Sequence, residues 1–259
     1  MWGEVSTCVG DGKDFGAQDI LCLAETWWSE DRAKDFRVFE ETHKHYHVCR
    51  RAGEHGGLSV FLPKTLRHKV LHKGLNPEMV VISLGEEDAL LCFVYVPPQG
   101  SVALTGDPFA SIVTTLAELG SHDVKFLVGD MNARVGAYDG IPMVVDVRSP
   151  WLGAVQAISG LPPRMSEDVV ATQHLNTWGE RLKDLCNVLE LCILNGRTRG
   201  DPTGKFTFCS PSGRSVVDMV LGSAGAWALN PDLMVQDNVF SHHSSLVLKF
   251  GIRLGGTRG

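Results

Sequence analysis

The stretch Gly129-Asp130-Met131-Asn132-Ala133-Arg134-Val135-Gly136 follows the apolar run Val124 to Val128, broken only by Lys125. An apolar run of that length, bounded by Gly, predicts a buried strand. The strand ends by delivering a carboxylate and a carboxamide, two residues apart, into a turn flanked by glycines. Asp130 can accept a proton or hold a water, and Asn132 can donate to an anionic oxygen while accepting elsewhere. Alternate side chains of an extended segment share a face, so both can point into one cleft at the end of a sheet. An Asx-turn closing the strand is the plainer reading of the same residues.

Working outward, other strands end on polar residues in the same way. Upstream, Ala89 to Pro98 reads as a central strand halted by Pro97 and Pro98, with Tyr95 near its end. Asp107 followed by Pro108 predicts the start of a helix running to Leu119, which links the Tyr95 strand to the Asp130 strand. Asp19 to Ala24 is a compact apolar strand that ends on Glu25-Thr26-Trp27-Trp28. Gly56 to Leu62, His68 to Leu75 and Met79 to Leu84 are further strands. Downstream, Asn176 to Leu191 carries apolar residues at helical spacing, and Cys192 to Gly196 and Lys205 to Phe208 read as strands. In the strand Ser215 to Leu221, Asp218 lies among valines and a methionine; buried there, it requires a partner. Ser241-His242-His243 leads into a last strand, Leu246 to Phe250.

Thr42 to Cys49 places His43, His45, His47 and Cys49 at period two, on one face if extended. Such spacing can chelate zinc or copper, but a partly exposed strand with histidines along a solvated face is the preferred reading. Residues 137–175 read as a long surface insertion, and 251–259 as a flexible tail.

Composition bounds the function. The chain has 259 residues, is 44% hydrophobic and 21% charged, and carries a net charge of −6, as a soluble globular protein does. Overall charge gives no help in binding a polyanion, which counts against a non-specific DNA binder but not against a nuclease that works through bridging cations. Cysteines at 8, 22, 49, 92, 186, 192 and 209 form no CxxC pair, and several lie in apolar runs. They point to buried thiols in a reducing compartment. With no signal peptide and no apolar run long enough to span a bilayer, an intracellular protein, nuclear or cytoplasmic, is expected, with no membrane partner.

Strand ends thus supply Glu25, Tyr95, Asp130, Asn132, Asp218 and His243, an inventory that suits metal-assisted phosphodiester hydrolysis. The segments Asp19 to Trp27, Gly56-Gly57, Tyr95-Val96-Pro97-Pro98, Gly129 to Gly136, Leu194-Asn195-Gly196-Arg197, Gly204 to Phe208 and Ser215-Val216-Val217-Asp218 carry a family likeness, in order and in spacing. In them the chain resembles the endonuclease/exonuclease/phosphatase family, and within it the AP-endonuclease-like domain of non-LTR retrotransposons.

The resemblance spans about residues 19–250 and implies an α/β (α+β) fold, a four-layer αββα sandwich of the DNase I-like type. It implies a monomeric, Mg2+- or Mn2+-dependent endonuclease that nicks DNA and derives from a retrotransposon. Glu25 would bind the cation, and Tyr95 and Asn132 would contact the scissile phosphate. Asp130 would orient or deprotonate the attacking water, and His243 would serve a phosphate oxygen with Asp218 fixing its tautomer. Two departures stand out. Residues 1–18 read as a truncated lead, so the family's first strand is expected to be missing. His242 stands where the family has Asp, and offers a replacement metal ligand of a different kind. Both departures keep open a degenerate remnant, without activity or with weak nucleic-acid binding. A phosphoesterase acting on a small phosphate ester is the other alternative. Arg164, Arg181, Arg197, Arg199 and Arg214 are candidates for a basic rim facing DNA.

Overall fold

Strands rich in Val, Ile, Leu and Phe dominate the chain, and most are apolar on both faces because both faces are covered. The computed structural model describes residues 6–9, 16–50, 55–85, 89–140, 161–170, 175–239 and 241–251. In chain order the elements are β1 (Ser6–Val9), β2 (Ile20–Ala24), α1 (Glu30–Asp35), β3 (His43–Val48), β4 (Leu58–Pro63), β5 (His68–Leu75), β6 (Glu78–Leu84) and β7 (Ala89–Tyr95). There follow α2 (Pro108–Glu118), β8 (Lys125–Asp130), α3 (Glu167–Val170), α4 (Thr177–Leu189), β9 (Cys192–Ile193), β10 (Phe208–Ser210) and β11 (Gly213–Ser215). The last are β12 (Asp218–Gly222), α5 (Ala224–Ala228), β13 (Asp232–Gln236) and β14 (Ser245–Lys249).

One six-stranded sheet has the order β13-β14-β1-β2-β4-β3, the other β5-β6-β7-β8-β12-β9, and β10-β11 form a separate hairpin. Period-two alternation divides each strand between two cores. On β6, Val80, Ile82 and Leu84 face the first sheet across the central core, beside Val60, Phe93, Val128 and Leu246. Met79 and Val81 face the other way, onto Phe109, Ile112 and Leu116 of α2 and Leu182, Leu185 and Leu189 of α4. Outside the first sheet, Ala33 and the half-buried Phe36 pack with Trp28 on Leu21 and Phe61. Helix, sheet, sheet and helix therefore form the four layers expected from the resemblance. Both long helices are capped from the sequence: Asp107 accepts from the N–H groups of Phe109 and Ala110, and Asn176 from that of Gly179.

The expectation of a missing first strand is corrected. β1 lies inside the first sheet, parallel to β14 (Thr7 opposite Leu246) and antiparallel to β2 (Cys8 opposite Leu21). Four residues, Ser6-Thr7-Cys8-Val9, are too few to display a period, so only the two ladders identify them as a strand. The Ser215 to Leu221 segment is also not one strand: it breaks into β11 and β12, with Val216 and Val217 between them. Much of the expected insertion, 141–160 and 171–174, lies outside the described residues, as do 252–259 of the tail. Among the described residues no helix is long and apolar enough to cross a membrane.

Candidate active site

Backbone ladders bring the polar strand ends into one row. Glu78 on β6 is opposite Tyr95 on β7, Tyr95 is opposite Asp130 on β8, and Asp130 is opposite Asp218 on β12. Residues directly opposite across a ladder point to the same face, so four polar side chains line the inner face at one end of the second sheet. Glu78 and Asp218 are fully buried, and Asp130 and Tyr95 nearly so.

Each is held by a partner. Asp130 Oδ1 accepts from the Asn132 N–H (2.8 Å) and Oδ2 from the Asn132 side-chain amide (3.1 Å), which also donates to the Val96 carbonyl (2.9 Å). The Asx-turn and the site are thus one structure. Asn132 adopts φ 45°, a left-handed conformation that Asn tolerates better than most residues. Gly129, before Asp130, sits at φ 148°, where a Cβ would run into the Val94 carbonyl of β7. Only glycine lets the two strands meet there.

Glu25 ends β2 at φ 50°, with Thr26 and Trp27 bonded to the Gly57 and Gly56 carbonyls. Its carboxylate accepts from the Tyr95 hydroxyl. Burial, and then the Glu25 charge, raise the Tyr95 pKa, so the hydroxyl stays protonated and donates.

His243 Nδ1 donates to both oxygens of Asp218, at 2.9 and 3.1 Å, which fixes the ring's orientation and leaves the Nε2 side for a ligand. Burial works against the imidazolium, but the Asp218 carboxylate outweighs it and lifts the pKa to about 9. At neutral pH His243 is therefore cationic. Asp130 is shifted upward, first by burial and then by the Asp218 charge, with His243 and the Asn132 N–H opposing. Thr207 Oγ1 accepts from the N–H groups of Val217 and Asp218, and buried Asn195 bonds the Asp218 carbonyl and the Val220 N–H. The Leu194-Asn195-Gly196 and Lys205 to Phe208 segments thereby hold Asp218 in place.

The donor set fits a hard divalent cation. Asp130, Asp218 and His243 bring ionisable atoms within 4.8 Å of one another, the protonated His243 serving as the donor to Asp218 and not as a metal ligand, and the charge of Glu25 is felt at both Asp130 and His243. Three carboxylates share this space with one imidazolium, so negative charge is left in excess. Asp218 is committed to His243, which leaves Glu25 and Asp130 as the carboxylates facing the excess.

Six of the seven expected site residues converge here. His242 does not: it is exposed, its ring lies 6.2 Å from that of Phe208, and it is outside the ligand cluster. It precedes His243 in a segment paired with β10, where adjacent side chains point to opposite sides, so with His243 turned in His242 is turned out. Two contributors escape sequence reasoning. Glu78, paired with Arg50, completes the row; a carboxylate opening an apolar strand, as at Asp218, was the available signal. Asn176 caps α4 and also bonds both Arg134 N (3.0 Å) and the Asn132 carbonyl (3.3 Å), tethering the Asp130–Arg134 turn to the helix.

A cleft of about 480 Å³ opens over this end, lined by Asn132, Arg134, Asn176, Phe208, Arg214 and His243. The expected basic rim is smaller than proposed. Arg197 is buried against Asp139, Arg164 bonds the Gly136 and Tyr138 carbonyls, and Arg181 pairs with Asp107 at 3.2 Å. Arg199 and Arg214 are exposed, and Arg134 is a further exposed cation at the cleft.

Residues 12–241 match the model of the endonuclease/exonuclease/phosphatase family. A 3′-5′ exonuclease (NExo) from Neisseria meningitidis superposes with TM-score 0.60 at 14% identity, over 90% of this chain and 89% of that one. An AP endonuclease from Archaeoglobus fulgidus gives TM-score 0.53 at 14% identity, with the same coverage of 90% and 89%. The endonuclease domain of TRAS1, a telomere-specific non-LTR retrotransposon, gives 0.49 at 15% identity over 82% and 81%, too loose a superposition to bear on origin. No curated protein matches the chain. At these identities the likeness is one of fold.

Proposed function

The chain belongs to the endonuclease/exonuclease/phosphatase family, and from that premise we propose that it is a divalent-metal-dependent hydrolase that nicks DNA phosphodiester bonds. The observation that carries this reading is the row of Tyr95, Asp130 and Asp218 on adjacent strands, completed by Glu25, Asn132 and His243.

Glu25, on the side of Asp130, would hold Mg2+ or Mn2+, whose charge neutralises developing negative charge on the phosphate. Asp130 is the proton acceptor for an attacking water, since its raised pKa makes it a stronger base than an exposed carboxylate. Asn132 and Tyr95 would reach phosphate oxygens by turning an N–H from the Val96 carbonyl and the O–H from the Glu25 carboxylate, which a bound cation would engage instead. The imidazolium of His243 faces the opposite charge as it builds, with Asp218 holding the ring. Arg134 and Arg214 at the cleft suit the flanking phosphates of a polyanion, which favours DNA over a small phosphate ester. Descent from a retrotransposon endonuclease is part of the same proposal and rests on the sequence motifs alone.

Nicking of supercoiled plasmid by purified protein tests the proposal, with Mg2+ and then Mn2+, beside an Asp130→Ala control. Nicking abolished by the control supports it. Absence of nicking from folded protein with either metal overturns it in favour of a degenerate remnant.

A further inference from the structure

A second group of metal-capable side chains lies on the other sheet, where α1 covers the end of β3. The alternation of β3 puts His43, His45 and His47 on the face toward α1, and Cys49 follows in the same phase. Ala33 and Phe36 of that helix region seat it on this face, with the Phe36 ring 6.4 Å from that of His45. From the first turn of α1, the Glu30 carboxylate reaches His47 Nε2 at 3.2 Å.

One carboxylate oxygen of Glu30, one ring nitrogen of His47 and Cys49 Sγ lie within 4.8 Å of one another. Cys49 is a free thiol. His47 Nδ1 is buried without a hydrogen-bond partner among the described residues, a cost that ordinary packing avoids. His47 also lines a cavity of about 270 Å³, which Glu30 and Cys49 do not. Tetrahedral coordination at zinc sets donors roughly 3.5 Å apart, so small side-chain movements close this cluster onto an ion. Sulfur, nitrogen and oxygen together suit a borderline-soft ion and not magnesium.

We propose that Glu30, His47 and Cys49 form a second metal site, separate from the candidate active site, that takes one Zn2+-type transition-metal ion and pins α1 to the edge strand β3. On binding, Cys49 Sγ gives its proton to solvent and bonds as thiolate, with no change of oxidation state. Glu30 lies at the solvent side, where water completes the coordination. His45 is stacked on Phe61, with centroids 4.3 Å apart, and stands beside the triad as a neighbour. The proposal does not depend on the nuclease reading.

Co2+ titration of the purified full-length protein tests it, because a thiolate bound to Co2+ gives a near-ultraviolet charge-transfer band that carboxylate and imidazole sites lack. The expected result is one such band per chain in the wild type, in Asp130→Ala and in Cys209→Ser, and its loss in Cys49→Ser. Glu30 is on the surface, so Glu30→Gln keeps the fold; its Co2+ dissociation constant rises at least about tenfold, as loss of a ligand requires. A wild type without the band, a band retained in Cys49→Ser, or unchanged affinity in Glu30→Gln overturns the proposal.

Discussion

Two groups of potential ligands sit on the two sheets, and they are built on opposite terms. In the row at the end of the second sheet, Asp130, Asp218, Tyr95 and His243 are buried and bonded to neighbours, and the imbalance left over is charge. At the end of β3 the imbalance lies in a buried ring nitrogen of His47 with no partner among the described residues. The first arrangement is pre-organised: its side chains are fixed before any ligand arrives, as stabilisation of a transition state requires. The second has to move to close on an ion, as a site that ties two elements together can. The two are joined through the chain, since Cys49 is followed by Arg50, whose guanidinium holds Glu78 in the polar row.

The contrast is broken most directly at Asp130. Asp130→Ala is expected to lower plasmid nicking by roughly 10³-fold while leaving far-ultraviolet circular dichroism unchanged. A fall of less than tenfold would mean that the row is structural.

Arg50→Ala leaves Glu78 as a buried charge without its cation, and roughly 3 kcal/mol of stability should be lost in urea unfolding. Burial already raises the Glu78 pKa against the pull of Arg50, so adding Glu78→Gln should recover part of that loss. No recovery would show that Arg50 acts through its bonds to the Leu75 and Ala103 carbonyls instead.

His243 sharpens the contrast through pH. Its folded pKa of about 9 stands above the ordinary 6.5. The stabilisation it contributes is therefore complete below pH 6.5 and is lost as pH rises through about 9. Nicking should fall over the same upper range, and at low pH it should fall as Asp130 takes up its proton. His243→Gln should cost roughly 10²-fold in rate and remove the alkaline fall in the pH–rate profile.

The smallest effect belongs to the other cluster. Ser29 caps α1 by accepting from the Arg32 N–H at 3.3 Å, so Ser29→Ala should cost about 1 kcal/mol or less in unfolding. Nicking should not change. A nicking defect in that variant would show that the two clusters are coupled and not independent.

How much of this was legible in the chain depended on the range of the cause. The strands around Ile20 to Ala24, Leu58 to Leu62, Ala89 to Tyr95 and Phe126 to Val128 are apolar runs with polar ends, and they read directly. So did both long helices, since Asp107 and Asn176 are local caps. β1, β13 and α1 did not read, because they are too short for a period and lack the continuous apolar run that marks β2. The basic rim failed at Arg164 and Arg197, since an arginine that binds backbone carbonyls inside the fold looks in sequence like one on the surface. His242 failed because the pairing of this segment with β10, which sets the alternation that turns His243 in and His242 out, is not visible in sequence.

The sequence by itself determined which residues could do chemistry, because a carboxylate stranded in an apolar run, or a Gly-flanked Asp-x-Asn, is a property of neighbours along the chain. Only the tertiary structure decided which of them act together. Glu78, Tyr95, Asp130 and Asp218 share a row through the register of four paired strands, and His243 joins them through Phe208 and Thr207. Register is a relation between segments far apart in the chain, and a slip of one residue in any ladder would turn one of these side chains to the opposite face.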